Sequence, residues 1–351
     1  MWYRTRSVFL LIPLAIMGRM ASAQTVEITE WEVPFSMGRG GKLLDTAPSS
    51  GRAATRPRDP YVHPDGRVFF CGQKGNYVAA LDPVTGAFQR YQVPTGSHPH
   101  NLIIDAQGFV WYAGNRASHI GRLDPRTGEI TRYDTPEPGA GDPHTLIRDH
   151  QGDIWFTSQW ANSVGWLSTA TGELRWQTVP TKRARPYGIV MDTSGTRPWV
   201  ALFGSHKLAT VDPAMMVLTE YPLPRPGARP RRLAVTSDGA VWYVDYAGGI
   251  LGRYEPGSGE VKEWAVPGGS GARPYAMCAD DRDRLWFIES PRRGPSRLVG
   301  FDPRSEEFFS RTPLESGGGT VRHMVFHAPT REIWFGTDAN TIGRARLPSS
   351  Q

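Results

Sequence analysis

The sequence predicts an all-β fold: a seven-bladed β-propeller of four-stranded antiparallel blades, its ring closed by the N-terminal strand pairing into the last blade. Two observations carry this. Trp111, Trp155, Trp199, Trp242 and Trp286 recur every 43 or 44 residues. Each repeat reads as a Pro followed by His, Tyr or Arg, an apolar strand, a polar turn, a Trp strand, a third strand, and a turn such as Asp124-Pro125-Arg126-Thr127-Gly128. Four short strands per such period make a propeller blade.

The first 23 residues read as a signal peptide. Arg4 and Arg6 precede the apolar run Val8 to Met17, and Ala21-Ser22-Ala23 offers a small-residue cleavage site before Gln24. The run is short for a transmembrane helix, so the expected location is periplasmic or secreted, with no membrane partner. Loss of Arg4, Arg6 and Arg19 lowers the formal net charge from +6 to +3. The remaining basic residues are not arranged as a groove with interleaved aromatic platforms, so nucleic acid is not expected as a partner.

Residues 24–351 form a single propeller domain. Glu30-Trp31-Glu32-Val33-Pro34 matches the fourth-strand endings Tyr91-Gln92-Val93-Pro94 and Trp264-Ala265-Val266-Pro267, which assigns this strand to the last blade and leaves no sheet edge open. Residues 36–58, rich in Gly, Ser and Arg, read as a mobile top-face loop able to cover the channel. The seven Trp-strand positions are Phe69, Trp111, Trp155, Trp199, Trp242, Trp286 and Trp334. Turns at Asp65-Gly66, Gln107-Gly108, Gln151-Gly152 and Asp238-Gly239 suit tight links between paired strands. The Trp stripe is expected to pack neighbouring blades together. Cys71 and Cys278 fall in blades 1 and 6, with blade 7 between them, and are expected to be separate thiols because a disulfide needs Cα atoms within about 7 Å. A monomer is expected.

The chemistry is sought where the first strands converge. The residue after each leading Pro is expected at the channel mouth: Tyr61, His100, His144, Tyr187, Arg231 and Tyr275, with His323 in the same place of the last blade. Two positions earlier stand Asp59, His98, Asp142, Arg185, Arg229 and Arg273. So many ionisable groups around one opening point to a small-molecule site, although a hydrated polar channel mouth alone accounts for some of them. Three residues after the Trp, blades 5 and 6 place Asp245 and Glu289 where other blades are neutral. Beside Arg229, Arg231 and Arg273 this acidic pair suits either a metal or general-base site, or a set of ion pairs that neutralises itself. Ser290 to Arg297 is a second, Arg-rich insertion on this face.

The repeats Pro143-His144-Thr145-Leu146, Gly152-Asp153-Ile154-Trp155-Phe156-Thr157 and Ser163-Val164-Gly165, with His119-Ile120-Gly121-Arg122-Leu123 and Thr341-Ile342-Gly343-Arg344, resemble those of the virginiamycin B lyase (streptogramin lyase) family of seven-bladed propellers. The resemblance covers nearly all of residues 26–347. It implies opening of a cyclic depsipeptide ester by elimination, with a base for the proton α to a carbonyl and Mg²⁺ for the developing enolate. It also implies a His after Pro in one late blade, a Glu-x-His group in the next, and an acidic residue ending that blade's Trp strand. Glu289 matches the last. The two His positions fall on Arg231 and Tyr275 and the first Glu on Arg273, which argues against streptogramin itself as substrate.

The expected function is therefore an exported carbon–oxygen lyase acting on an ester- or carboxylate-bearing small molecule. In this reading Glu289, Tyr275 or His144 handles protons. Arg185, Arg229, Arg231, Arg273, Tyr187, His100, His323 and Tyr61 bind substrate, and Glu289 with Asp245 holds any metal. His100, His144 and His323 form an alternative base or metal cluster. Two other classes stay open: a non-catalytic propeller binding an anionic ligand or protein, and a lactone hydrolase built on Ca²⁺. An Arg-dominated inner wall favours the first two of the three readings, a carboxylate-rich channel floor the hydrolase.

Overall fold

Each repeat folds into a meander because one turn device recurs. In blade 2 the Asp105 carboxylate accepts the backbone N–H of Gln107 at 3.0 Å and of Phe109 at 2.9 Å, and the Trp111 indole N–H at 2.7 Å. The same Asp-to-Trp bond joins Asp149 to Trp155 and Asp280 to Trp286. Gly108 sits at φ 85° in this turn, a left-handed conformation that glycine adopts without a Cβ clash. The Trp signal in the sequence is thus also a turn signal: the indole satisfies the carboxylate that shapes the preceding hairpin.

The structure, a computed structural model, describes residues 16–17, 20–49, 53–135 and 141–348. Seven antiparallel blades follow one another. The first four are Pro57–Val62 to Phe88–Gln92, Pro99–Ile104 to Ile130–Asp134, Pro143–Arg148 to Leu174–Thr178, and Pro186–Met191 to Val217–Pro222. Blades 5 and 6 run from Pro230–Val235 to Val261–Ala265 and from Pro274–Ala279 to Glu307–Pro313. The last blade comprises Met324–His327, Glu332–Gly336, Thr341–Arg346 and, from the other end of the chain, Glu27–Glu32, paired antiparallel with Thr341–Arg346. Each inner strand touches the next, and Met324–His327 touches Pro57–Val62. The only helical turns among the described residues are Arg39–Gly41 and Gly269–Gly271.

The tryptophans sit where blades meet. Trp111 packs with Leu146, Ile154 and Phe156 of blade 3, and Trp242 with Met277, Leu285 and Phe287 of blade 6. Trp242 also stacks on Trp264 at 5.4 Å. Burying such rings removes a large apolar area from water at every junction. Cys71 is buried and Cys278 half-buried, both as free thiols.

The segment read as a loop over 36–58 carries a small sheet, in which Ser36–Met37 pairs with both Leu43–Leu44 and Ala53–Ala54. It is tied down because Phe35 packs edge-on to Tyr77 at 5.2 Å, and because Thr55 bonds to the Tyr77 hydroxyl at 2.7 Å and to Asn340 at 2.9 Å. Pro57 and Arg58 already belong to blade 1. Residues 1–15, 18 and 19 of the expected leader lie outside the described residues. Two described strands run parallel to the outer edges of blades 5 and 6, Ile16–Met17 along Trp264–Ala265 and Met20–Gln24 along Phe308–Ser310.

Candidate functional site at the channel and its upper face

Every inner strand but the last breaks register after its leading Pro, as between Pro99 and Leu102 or Pro274 and Met277. Such a bulge turns two consecutive residues toward the axis, so two rings line the channel. Pairing with the Trp strands aligns Arg58, His100, His144, Tyr187, Arg231, Tyr275 and Arg322 in the upper ring. The lower ring holds Asp59, Asn101, Thr145, Gly188, Arg232, Ala276 and His323.

Two expected positions move. Tyr61 pairs with Phe69, as Ile103 pairs with Trp111, so it lies toward the lower opening, and Arg58 takes the place in the upper ring. The leading Pro of blade 1 is Pro57, in Arg56-Pro57-Arg58, which matches Arg229-Pro230-Arg231. His323 lies in the lower ring because Met324 pairs with Phe335 as Leu102 does with Tyr112, which puts Arg322 above. Blade 7 has no leading Pro to set that register. The residues just before the prolines, Arg56, His98, Arg185 and Arg273, adopt φ of 59°, 46°, 52° and 52°. Non-glycine residues in this region store strain of order 1 kcal/mol or more, a feature that clusters at binding sites.

The upper ring is a closed aromatic and cationic layer. The Tyr187 and Tyr275 hydroxyls hydrogen-bond to each other. His100 and His144 lie tilted against each other with ring centres 3.7 Å apart, and His144 lies tilted against Tyr187 at 4.1 Å. Arg231 lies 3.8 Å over Tyr275, 4.8 Å over Tyr187, and within 4.4 Å of the Phe203 and Tyr246 ring centres. Burial works against ionising Tyr187, but Arg231, Arg232 and Arg58 outweigh it and bring its hydroxyl down to about 8. Burial and the charge of Tyr187 push Tyr275 up. The pair therefore gives up one proton readily and the second reluctantly. Burial, then Arg58, holds His100 well below the imidazole range; burial, then Arg232, does the same for His144. Both are neutral at pH 7. His144 is further occupied by the Thr145 hydroxyl at 2.9 Å, and Nδ1 of His100 by the His144 carbonyl at 3.1 Å.

Below this layer Arg232 crosses the channel. Its guanidinium donates to the Arg322 carbonyl at 2.9 Å and the Thr145 hydroxyl at 2.9 Å, and approaches Asp59 at 3.7 Å. Asp59 is also held by Arg58 at 3.4 Å and Asn101 at 3.0 Å. Arg322 is paired with Asp338 at 2.7 Å.

Asp245 and Glu289 are both engaged by protein groups. One Asp245 oxygen accepts the backbone N–H of Arg229 and of Ala247, each at 2.9 Å, and the other pairs with Arg225 at 2.5 Å. Glu289 accepts the Gly268 N–H at 2.6 Å and pairs with Arg311 through both Nε and Nη2, at 3.1 and 2.9 Å. Each carboxylate ties a loop or an outer strand to its blade. No group of three His, Cys, Asp or Glu among the described residues is placed to hold a metal. The donors present, neutral buried imidazoles and carboxylates saturated by Arg, do not suit the Mg²⁺ of the resemblance or the Ca²⁺ of a lactone hydrolase. Glu289→Gln should therefore cost about 2 kcal/mol in urea unfolding, through a lost charged hydrogen-bond set. Unchanged stability would remove this structural role.

The open part of the site lies on the upper face of blades 5 and 6. A cavity of about 560 Å³ is lined by Arg229, Tyr246, Ala247, Ser270, Gly271, Arg273 and Pro291–Arg293. Arg229 lies 4.0 Å over Phe203 and Arg273 4.6 Å over Tyr246. No carboxylate pairs with Arg273, Arg292 or Arg293 among the described residues. Burial and the neighbouring cations Arg231 and Arg185 lower Arg229; burial, then Arg292 and Arg231, lower Arg273. Arg185 stands aside from this cavity, stacked 4.5 Å over Trp160. Sequence reading found Arg229, Arg273 and the Arg-rich insertion, and missed Phe203 and Tyr246, although each stands four residues after its blade's Trp, one past the position that was read for Asp245 and Glu289.

Fold and site thus define a seven-bladed propeller with a plugged channel and a cationic pocket above it. The chain belongs to the virginiamycin B lyase family, matching it over residues 52–347. Among solved structures it is similar to a streptogramin B lyase, with 24% identity, TM-score 0.77, and coverage of 92% of this chain and 98% of that one. A catalytically inactive virginiamycin B lyase from Staphylococcus aureus with quinupristin matches at 23% identity and TM-score 0.77, over 92% of this chain and 100% of that one. Kuenenia stuttgartiensis hydrazine synthase follows at 14% and 0.68, over 85% and 97%. At these identities the structures show the fold alone. No curated protein sequence matches the chain.

Proposed function

We propose that the protein is an exported, lyase-like member of its family that takes an ester- or carboxylate-bearing small molecule in the cationic pocket above blades 5 and 6. The carrying observation is the set Arg229, Arg273, Arg292 and Arg293 around one cavity, with no carboxylate among the described residues paired to Arg273, Arg292 or Arg293. An anion entering there relieves like-charge crowding and finds planar, multidentate donors. Family membership supports carbon–oxygen elimination. A base takes the proton α to the carbonyl, the electron pair forms the new carbon–carbon double bond, and the alkyl–oxygen bond of the ester breaks to release a carboxylate. The Tyr187–Tyr275 pair is the base this chain offers in place of Glu289, and Arg231 is the cation positioned to meet enolate charge. Arg231 stands between pocket and pair, so it must swing aside for proton transfer.

A second reading, a non-catalytic module binding an anionic ligand, is favoured by the burial of the pair, Tyr187 being 3% and Tyr275 1% exposed. One experiment separates them. The protein is screened by thermal shift against carboxylates, lactones and cyclic depsipeptides in the presence of EDTA, and stabilising compounds are incubated and followed by liquid chromatography with fragmentation mass spectrometry. Ring opening at unchanged mass supports the lyase, a shift without conversion the binding module, and addition of water a hydrolase. The absence of any shift would overturn the pocket. Export is supported by the leader-like pattern before Gln24, and the mass of the mature protein from the periplasm or medium tests it.

A further inference from the structure

The lower end of the channel is a second cavity, separate from the pocket above. It measures about 400 Å³, and its walls are aliphatic, including Ile103, Ile147, Ile189, Val190, Met277 and Met324. Its inner end is polar, where Arg232 and His323 line it. Arg232 is only 3% exposed, and its Nη2 has no hydrogen-bond partner, because Asp59 stands 3.7 Å away. His323 Nδ1 is likewise buried without a partner. Arg148 lines the cavity three positions further along its strand than Thr145, and so nearer the lower opening, and its Nε is also unpartnered. The upper-ring layer of Tyr187, Tyr275, His100 and His144 closes the well from the top face.

A deep aliphatic well ending on a cation fits one kind of ligand. Its walls gain from burying methylene groups at about 0.8 kcal/mol each, while its floor carries a guanidinium N–H and an imidazole nitrogen with unmet hydrogen-bonding demand, which costs free energy in a buried setting. A neutral hydrocarbon leaves the floor unsatisfied, and a small hydrophilic anion leaves the walls bare. We propose that the lower channel binds a medium-chain aliphatic monocarboxylate, its head group against Arg232 and His323 and its chain along the aliphatic walls. The well is independent of the top-face reaction and survives its failure.

The test is calorimetric titration of the full protein with decanoate, decan-1-ol and acetate. Decanoate should bind saturably, one to one, with decan-1-ol and acetate each at least about tenfold weaker. Val190→Trp and Val325→Trp, which fill the well from half-buried wall positions without touching its charges, should weaken decanoate at least about tenfold and leave the melting temperature unchanged. Arg232→Met should also weaken it, and Arg273→Ala on the top face should not. No saturable decanoate binding, equal binding of decan-1-ol, indifference to both Trp variants, or loss in Arg273→Ala would each overturn the proposal.

Discussion

Replacing Asp59 with Ala should lower unfolding free energy by about 3–5 kcal/mol, because it strips a buried cation cluster of its carboxylate. Asp59 is 1% exposed and faces Arg58 and Arg232, each 3% exposed. Burial works against its charge, yet Arg58, His323, Arg232 and Asn101 hold its carboxyl below the usual range. Without it, Arg58 keeps Gln73 at 2.6 Å and Arg232 keeps Thr145 and a carbonyl, but neither retains an anion. Urea unfolding with an unchanged slope measures the loss. A cost below about 1 kcal/mol, the scale of exposed pairs, would show that water reaches the cluster.

The double variant Tyr187→Phe/Tyr275→Phe should abolish a tyrosinate absorbance step near pH 8 and reduce turnover about 10²–10⁴-fold, the usual worth of a general base. The step belongs to the pair, so a single substitution leaves the other hydroxyl among the same arginines. The sign follows from Tyr187, whose folded value of about 8 lies under the ordinary 10.0. Between these values the unfolded chain binds more protons, so stability from this group rises with pH, is fully present above pH 10 and is lost as pH falls through 8. Turnover in the native protein should rise across the same step, since the ionised pair is the base. A pH profile flat from 7 to 9 in the native protein would remove the pair from the chemistry.

The blades were legible because their signals are local. The Trp period and the Asp-x-x-Gly turn are one device, joined by the indole-to-carboxylate bond, and a local device repeats in sequence. The site was legible only in part. Arg229, Arg231, Arg273, Tyr187 and Tyr275 follow a Pro-anchored register that the structure keeps. Blades 1 and 7 break it: blade 1 offers both Pro57 and Pro60, and blade 7 places Val321 where the others place Pro. That shifted Tyr61 and His323 and hid Arg58 and Arg322. For Asp245 and Glu289 the sequence left a metal or base site and a set of ion pairs both open, and their ion-pair partners were hidden for another reason. Their partners, Arg225 and Arg311, come from a loop and an outer strand at 20 and 22 residues' separation, and no motif spacing records such a contact. Arg232 as a bar across the channel is a purely tertiary fact.

The central claim is that charge, supplied by arginines and not by a metal, selects the ligand of the top-face pocket. Calorimetric titration of one carboxylate-bearing ester found by the screen, and of its counterpart with the free carboxylate converted to a neutral amide, into the native protein and Arg229→Ala and Arg273→Ala variants, with EDTA throughout, tests it most directly. The account predicts saturable binding of the carboxylate alone, weakened about tenfold by each substitution. Equal binding of the neutral counterpart, or affinities untouched by both substitutions, would contradict it.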